Sequence, residues 1–470
     1  MIKPETKTYP SISHDATRRE AARVTLVLTC VAAFMAALDV TIVNVALPSI
    51  QSGLGGTIAG LQWIGAGYTL TFACLLLAGG TLSDRHRPRA IFIAGLVIFG
   101  LGSLACGISP GLLALNVARI VQGGGAALIV PATLALLREA YPDRHARAKA
   151  IAIYAASGGI AQVSGPVLGG ILVATLGWPA IFFVNLPIGI VVLIVALSRI
   201  PRSSTFQRRS LDLPGQCAVI LWLLSLAAAL IQGGQWGWTS MPVILCFGVS
   251  MVALAAFVTI ERRTAEPMVP LQIFGQIRTA ALLVIAIILG FAYFGLFFVL
   301  AIFFQDGWGA TPIMAGLAFL PMTIGVTTAN LTIGPRVGWI GSRIPMLIGH
   351  ALCAVGYLAL SRIDGATPYL WIGILFAMIG VGGGLIVPAM TAAMLDAVPS
   401  DRNGIAAGIL NAGRQMGSVV GIALFGSLVA RSGLIAGLHQ ALIIAAGAMA
   451  VGCLLSAAYP KISLSTRISS

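Results

Sequence analysis

Fourteen stretches of this chain are apolar over about 20 residues each, and that pattern limits the fold more than any other feature. A helix rises about 1.5 Å per residue and a bilayer core is about 30 Å thick, so each stretch reads as a membrane-crossing helix. The runs are 24–48, 59–80, 90–109, 111–136, 149–174, 180–198, 211–231, 241–260, 279–303, 312–334, 344–361, 368–395, 404–430 and 439–459, numbered here as spans 1 to 14. Composition agrees. Charged residues are 9% of the 470 and apolar residues 58%, where a soluble domain carries about 25% charge. A soluble enzyme is excluded, as is a disordered or fibrous chain.

The few charges are lopsided, with 28 Lys and Arg against 14 Asp and Glu. Their placement is more informative than their number. The tail and the loops after even-numbered spans hold 24 of the cations, among them Arg23, Arg85, Arg87, Arg89, Arg138, Arg199, Arg262, Arg336 and Arg343. The other side holds Arg362 and Arg431. By the positive-inside rule both termini are expected in the cytoplasm. Cations spread over separate short segments do not make the single basic patch of a nucleic-acid binder. Span 1 is too long for the apolar core of a cleavable signal and is expected to remain as an anchor. The seven cysteines are scattered along the apolar runs and form neither a metal spacing nor a disulfide framework.

The segment Leu128–Ala132 (LIVPA) recurs 257 residues later as Leu385–Ala389. Each copy follows a glycine triplet, Gly123–Gly125 and Gly382–Gly384, and Pro142 pairs with Pro399 at the same offset. That distance is about eight spans, so span 4 repeats as span 12. The expected fold is all-α and integral to the membrane: a cytoplasmic tail (1–23), a six-helix bundle (24–200), two extra helices (201–270), a second six-helix bundle (271–460) and a final tail (461–470). Parallel repeats of this kind are a transporter signature, with the binding site between the halves.

Three charges fall well inside spans: Asp39, Arg119 and Arg414. An ionised carboxylate at such a depth needs a partner, water or a proton. A carboxylate that changes exposure can load and release a proton; the alternative is a permanent structural pair. Asp39 lies about 24 Å from the inner face and Arg119 about 12 Å from the outer end, at 1.5 Å per residue. Their depths allow a direct or water-mediated pair. Arg414 sits near mid-membrane beside Asn411 and Gln415, and either contacts substrate or latches the halves. Small residues recur every four positions, at Gly165 and Gly169 and at Gly413, Gly417 and Gly421, which lets helices pack closely. In span 9, Phe294 and Phe298 share a face. They face lipid or line an apolar pocket. His350 and His439 receive no role.

These motifs resemble those of the major facilitator superfamily over almost the whole chain, and more closely its fourteen-span drug:proton antiporters of the methylenomycin-resistance and multidrug-efflux type. The most specific match is Leu38–Pro48 (LDVTIVNVALP). Gly80–Arg89 (GTLSDRHRPR) is similar to the loop motif, Arg119–Ala127 (RIVQGGGAA) to the proton-relay motif, Gly165–Gly170 (GPVLGG) to the antiporter motif and Asn411–Gln415 (NAGRQ) to the span-13 motif. The resemblance implies that Asp39 is the protonation site and that Arg119 tunes it. It implies a cytoplasmic latch from Asp84, Arg85 and Arg89, and an export-associated packing segment at Gly165, Pro166, Gly169 and Gly170. Asn44, Gln122, Phe294, Phe298, Asn411, Arg414 and Gln415 are the candidates for a substrate cavity. Arg87 stands where the loop motif usually has glycine, which puts the latch geometry in question.

The expected function is proton-coupled export of a hydrophobic or amphiphilic small molecule, such as an antibiotic, across a bacterial cytoplasmic membrane. The alternative is a metabolite facilitator or importer of the same fold. The expected partners are that substrate, protons and the bilayer. No cofactor, metal or nucleic acid is expected, and the chain is expected to act as a monomer. No nucleophile–base set or metal cluster in the spans supports an enzyme.

Overall fold

The computed structural model describes residues 12–85, 87–201, 212–264, 267, 276–398 and 403–459. The cations at Lys3, Lys7, Arg202, Arg208, Arg209, Arg402, Lys461 and Arg467 lie outside them, as do Pro399 and the expected boundaries at 270 and 460.

All fourteen spans form helices of crossing length: Arg19–Leu54, Ile58–Leu76, Pro88–Gly107, Leu112–Ala140, His145–Leu176, Ala180–Arg199, Leu213–Trp236, Met241–Arg263, Ile277–Gly307, Pro312–Ile340, Arg343–Leu360, Tyr369–Ala397, Ala406–Ser432 and Leu434–Ala458. Large apolar side chains line the outside of the bundle, with Leu113 80%, Val252 71% and Leu454 70% exposed. In water that surface would drive aggregation; in hydrocarbon it is the matched solvent. The chain is therefore a multi-pass membrane protein. The loops after even-numbered spans mark its basic face.

Two spans are broken, each where a proline removes the hydrogen bond four residues back. Span 6 divides into Ala180–Phe183 and Asn185–Arg199, and Pro187 has no N–H for the carbonyl of Phe183. Span 10 divides into Pro312–Leu317 and Leu320–Ile333, and Pro321 stands in the same relation to Leu317. Arg87 has the extended backbone expected of a residue before proline, and Pro88 opens span 3 as its first helical residue. The turn that a glycine usually makes is thus replaced by a direct helix start.

Helix pairing repeats with an offset of eight spans. Span 1 packs on span 5, and span 9 on span 13. Span 4 packs on spans 2 and 3, and span 12 on spans 10 and 11. Span 3 packs on span 6, and span 11 on span 14. The glycine triplets make this possible. A Cβ on Gly123 would strike the backbone of Tyr68 in span 2, and one on Gly125 the backbone of Phe99 in span 3. Gly380 and Gly382, each 257 residues on, meet Met322 of span 10 and Gly349 of span 11 in the same way. The architecture is two six-helix halves plus two further helices. Spans 7 and 8 pair with each other, and span 7 lies over spans 2 and 13, burying Val219, Leu223 and Ala227 against Leu70, Cys74, Val419 and Ala423.

The halves meet toward the face opposite the basic one. Gln62 of span 2 donates to the carbonyls of Ile422 (2.9 Å) and Ala423 (2.6 Å) of span 13. Gln305 of span 9 donates to the carbonyl of Val45 of span 1 at 2.9 Å. Spans 5 and 10 touch backbone to backbone: a Cβ on Gly170 would collide with the Pro312 carbonyl oxygen, and one on Gly316 with that of Pro166. Gly159 shares the helix side of Pro166 and Gly170, two turns nearer the basic face, because seven and eleven residues are close to whole numbers of turns. A Cβ there would meet nothing within 4 Å. Along this line the halves are joined at one face and diverge toward the basic one.

Candidate functional site

Asp39 of span 1 is fully buried, with 0% of its surface exposed. One carboxylate oxygen, Oδ2, is ion-paired with Nη1 of Arg119 of span 4, which is 1% exposed. The other, Oδ1, accepts from Gln122 Nε2 at 2.8 Å and from Asn185 Nδ2 at 3.1 Å. Ser103 of span 3 ties these donors together, its Oγ lying 2.8 Å from Gln122 Nε2 and 3.4 Å from Asn185 Nδ2. A buried ion pair needs further hydrogen bonds to its remaining lone pairs and protons, and Gln122, Asn185 and the Ile64 carbonyl supply several of them.

Arg119 is held by four more groups. Its Nε donates to the Ile64 carbonyl of span 2 at 3.1 Å, and Nη1 also donates to Gln122 Oε1 at 2.6 Å. Its guanidinium lies 4.3 Å from the Tyr68 ring centroid and 5.7 Å from that of Phe182, within cation–π range. Tyr68 is fixed by donating its hydroxyl to the Ala36 carbonyl of span 1 at 3.1 Å. Five spans (1, 2, 3, 4 and 6) thus converge on one carboxylate. Its direct partners come from spans 4 and 6, and spans 2 and 3 join through Arg119, Gln122 and Asn185.

The structure brings Asp39 and Arg119 into direct contact, and it moves one cavity candidate into their cluster. Gln122 is 0% exposed and spends both ends of its amide on Asp39, Ser103 and Arg119. Phe298 is also fully buried. It lies in an apolar core with Phe297, Phe319 and Phe376, where span 9 packs on spans 1, 12, 13 and 14. Phe294 is half-buried against Tyr293, with ring centroids 5.5 Å apart. Asn44 is 5% exposed and donates back to the Val40 carbonyl of its own helix at 3.3 Å.

Arg414 and Asn411 are half-buried and joined by a 3.1 Å hydrogen bond from Nη2 to Oδ1. Gln415 is 8% exposed. Of the expected latch, Arg85 is exposed, and the Asp84 side chain lies outside the described ones. Among the described residues, Arg89 bonds within its own half. It donates to the carbonyls of Leu197 (2.6 Å) and Ala196 (3.4 Å) at the end of span 6, where a cation complements the helix dipole. In the packing segment, Gly165 and Gly169 press on Thr41 and Ile42 of span 1, and Pro166 and Gly170 on span 10.

Sequence reasoning missed Asn185, Ser103 and Tyr68. Asn185 carried a readable signal, a polar residue two positions before a proline inside an apolar run. Ser103 and Tyr68 carried none, since uncharged residues of that kind are common in packed spans.

Comparison with known proteins fits this geometry. The family model described as Major Facilitator Superfamily matches residues 29–422 and again 282–467. The chain is 39% identical over 397 residues to a methylenomycin A resistance protein of Streptomyces coelicolor, covering 83% of this chain and 82% of that one. It is 37% identical over 407 residues to the multidrug resistance protein Stp of Mycobacterium tuberculosis, covering 87% and 76%. Among solved structures, an auto-inhibited POT family peptide transporter superposes with a TM-score of 0.68 at 16% identity, covering 95% of this chain and 98% of that one. The nucleoside transporter NupG does so with a TM-score of 0.64 at 12% identity, covering 93% and 100%. The structural likeness carries the fold, and the sequence likeness carries the relationship: the chain belongs to the major facilitator superfamily, among its drug-efflux and antibiotic-resistance transporters.

Proposed function

We propose that this protein exports a hydrophobic or amphiphilic small molecule, such as an antibiotic, in exchange for protons by alternating access. The observation that carries the reading is the Asp39 cluster, a titratable group buried where five spans meet. Asp39 is fully buried in this arrangement, so protonation requires a second arrangement that exposes it. Neutralising Asp39 ends its ion pair and leaves Arg119 with the Ile64 carbonyl, Gln122 and the Tyr68 ring. The two protonation states therefore favour different packing of spans 1, 4 and 6. That difference is what a proton-driven cycle needs, since a ligand shifts an equilibrium only through its unequal affinity for the two states.

On this reading the basic face is cytoplasmic, both termini lie inside, and the divergence at Gly159 opens the halves to the cytoplasm. The protein works as a monomer in the cytoplasmic membrane of a bacterium, with the proton gradient as its energy source and no cofactor. The names of its relatives point to antibiotics as substrates.

The test is a toxicity panel in an efflux-deficient bacterial host. Wild-type protein is expected to raise the inhibitory concentration of at least one amphiphilic antibiotic, and Asp39→Asn to abolish that protection at equal expression. Sensitisation by the wild type, with the compound accumulating inside, would instead indicate an importer.

A further inference from the structure

Arg414 is a membrane-buried cation with no ion-pair partner among the described residues. It lies eleven residues from the start of the helix Asn403–Ser432, about 17 Å into the membrane at 1.5 Å per residue. Its side-chain hydrogen bond goes to Asn411, one turn away on the same helix, and no carboxylate among the described residues is paired with it. The other deep cation, Arg119, is neutralised by Asp39.

The packing of span 13 fixes where Arg414 points. Gly413, Gly417 and Gly421 form the side that lies on span 9. Ile422 and Gly426 form the side that meets Gly65 and Gln62 of span 2. Val419 and Ala423 form the side buried against span 7. At 100° per residue, Arg414, Asn411 and Ser418 fall between the span 9 side and the span 2 side. That sector faces the seam between the two halves, away from the span 7 side. Ser418 is 0% exposed, and its hydroxyl has no hydrogen-bond partner. One helix turn of this seam thus holds a guanidinium without a counter-ion and a buried hydroxyl without a partner.

Deep in a membrane, charged side chains pair with one another or line a substrate path. We infer that Arg414 is the recognition point for an anionic group, a carboxylate on the exported amphiphile, and that Ser418 adds a hydrogen bond to it. This rests on the efflux reading of the same seam and names its substrate class. Guanidinium is suited to the task because its planar fork binds a carboxylate in two places. A cationic amphiphile would meet repulsion at the same point.

Binding to the purified full chain in detergent tests this without a proton gradient, so a failure of proton coupling leaves the result unaffected. The probes are three naphthyl amphiphiles of matched size ending in a carboxylate, a primary amide or a quaternary ammonium, with binding read by equilibrium dialysis. Wild type is expected to bind the carboxylate about tenfold or more tighter than the amide, the worth of one charge-assisted hydrogen bond. Arg414→Gln is expected to erase that preference. Arg414→Lys keeps the charge without the fork and is expected to retain a reduced preference. A wild type that binds none of the three, or the amide or ammonium as tightly as the carboxylate, overturns the inference. So does a carboxylate preference unchanged in Arg414→Gln or in Arg414→Lys.

Discussion

Asn185 Nδ2 lies 3.1 Å from Asp39 Oδ1 and so ties span 6 to the buried carboxylate of span 1. The contact sits at the break in span 6. Pro187 interrupts the hydrogen bonding of span 6 at Val184, and the helix Asn185–Arg199 restarts with the amide aimed inward. A single polar residue beside a proline thereby makes span 6 part of the charge-bearing site.

Asn185→Leu should therefore weaken the protein as well as its transport. Losing a hydrogen bond to a charged group costs about 1.5–3 kcal/mol. The variant is expected to unfold at a lower temperature in detergent than wild type and to show reduced efflux at equal expression. Unchanged melting would mean that the contact has no energetic weight.

The Asp39–Arg119 pair predicts a non-additive stability series. Removing one member of a buried pair leaves the other charge uncompensated, at a cost of about 3–5 kcal/mol, whereas replacing both is often tolerated. Arg119→Met alone should melt well below wild type. The double variant Asp39→Asn/Arg119→Met should recover much of that loss while remaining inactive. A double variant less stable than both single ones would contradict the pairing.

The seal between the halves should yield to a single methyl group. Gly316→Ala places a Cβ against the Pro166 carbonyl oxygen, and backbone cannot move aside as a flexible side chain would. Spin labels at the exposed positions 176 and 314 report the separation of spans 5 and 10. The variant is expected to add a longer-distance population. An identical distance distribution would show that the glycine contact does not hold the halves together.

A smaller pH effect belongs to the loop between spans 11 and 12. The Thr367 hydroxyl (2.8 Å) and then the Ala366 N–H (3.0 Å) donate to Asp364 Oδ1, holding its carboxyl below the usual carboxylate range. A depressed folded-state pKa adds stability above the unfolded value, and that stability is lost as pH falls through the folded one. Asp364→Ala should lower the melting temperature slightly at pH 7, and the difference should shrink below about pH 4. A difference independent of pH would assign the effect to the turn's shape and not to the charge.

Much of this molecule could be read from its residues, and what could not has a physical reason. Spans are legible because bilayer thickness sets their length. Asp39 and Arg119 are legible because charge is rare at that depth. The glycine triplets at 123–125 and 382–384 foretold that spans 4 and 12 correspond, and each triplet does bring its span against two neighbours. The contact of Gln122 with Asp39 is not legible, because an amide in a span looks the same whether it faces a cavity or a carboxylate. The packing of Phe298 in an apolar core is not legible either, because an aromatic face has no sign that separates lipid, pocket and core. The bond from Arg89 to span 6 depends on where a distant helix ends, which local sequence does not encode.

The central claim is that protonation of Asp39 drives export. It is tested most directly in proteoliposomes holding the purified chain and a substrate found in the toxicity panel. With an imposed pH gradient, wild type should move substrate against its concentration gradient and carry protons the other way. Asp39→Asn should bind the same substrate yet show neither gradient-driven movement nor proton flux. Undiminished proton-driven transport by Asp39→Asn would contradict the account.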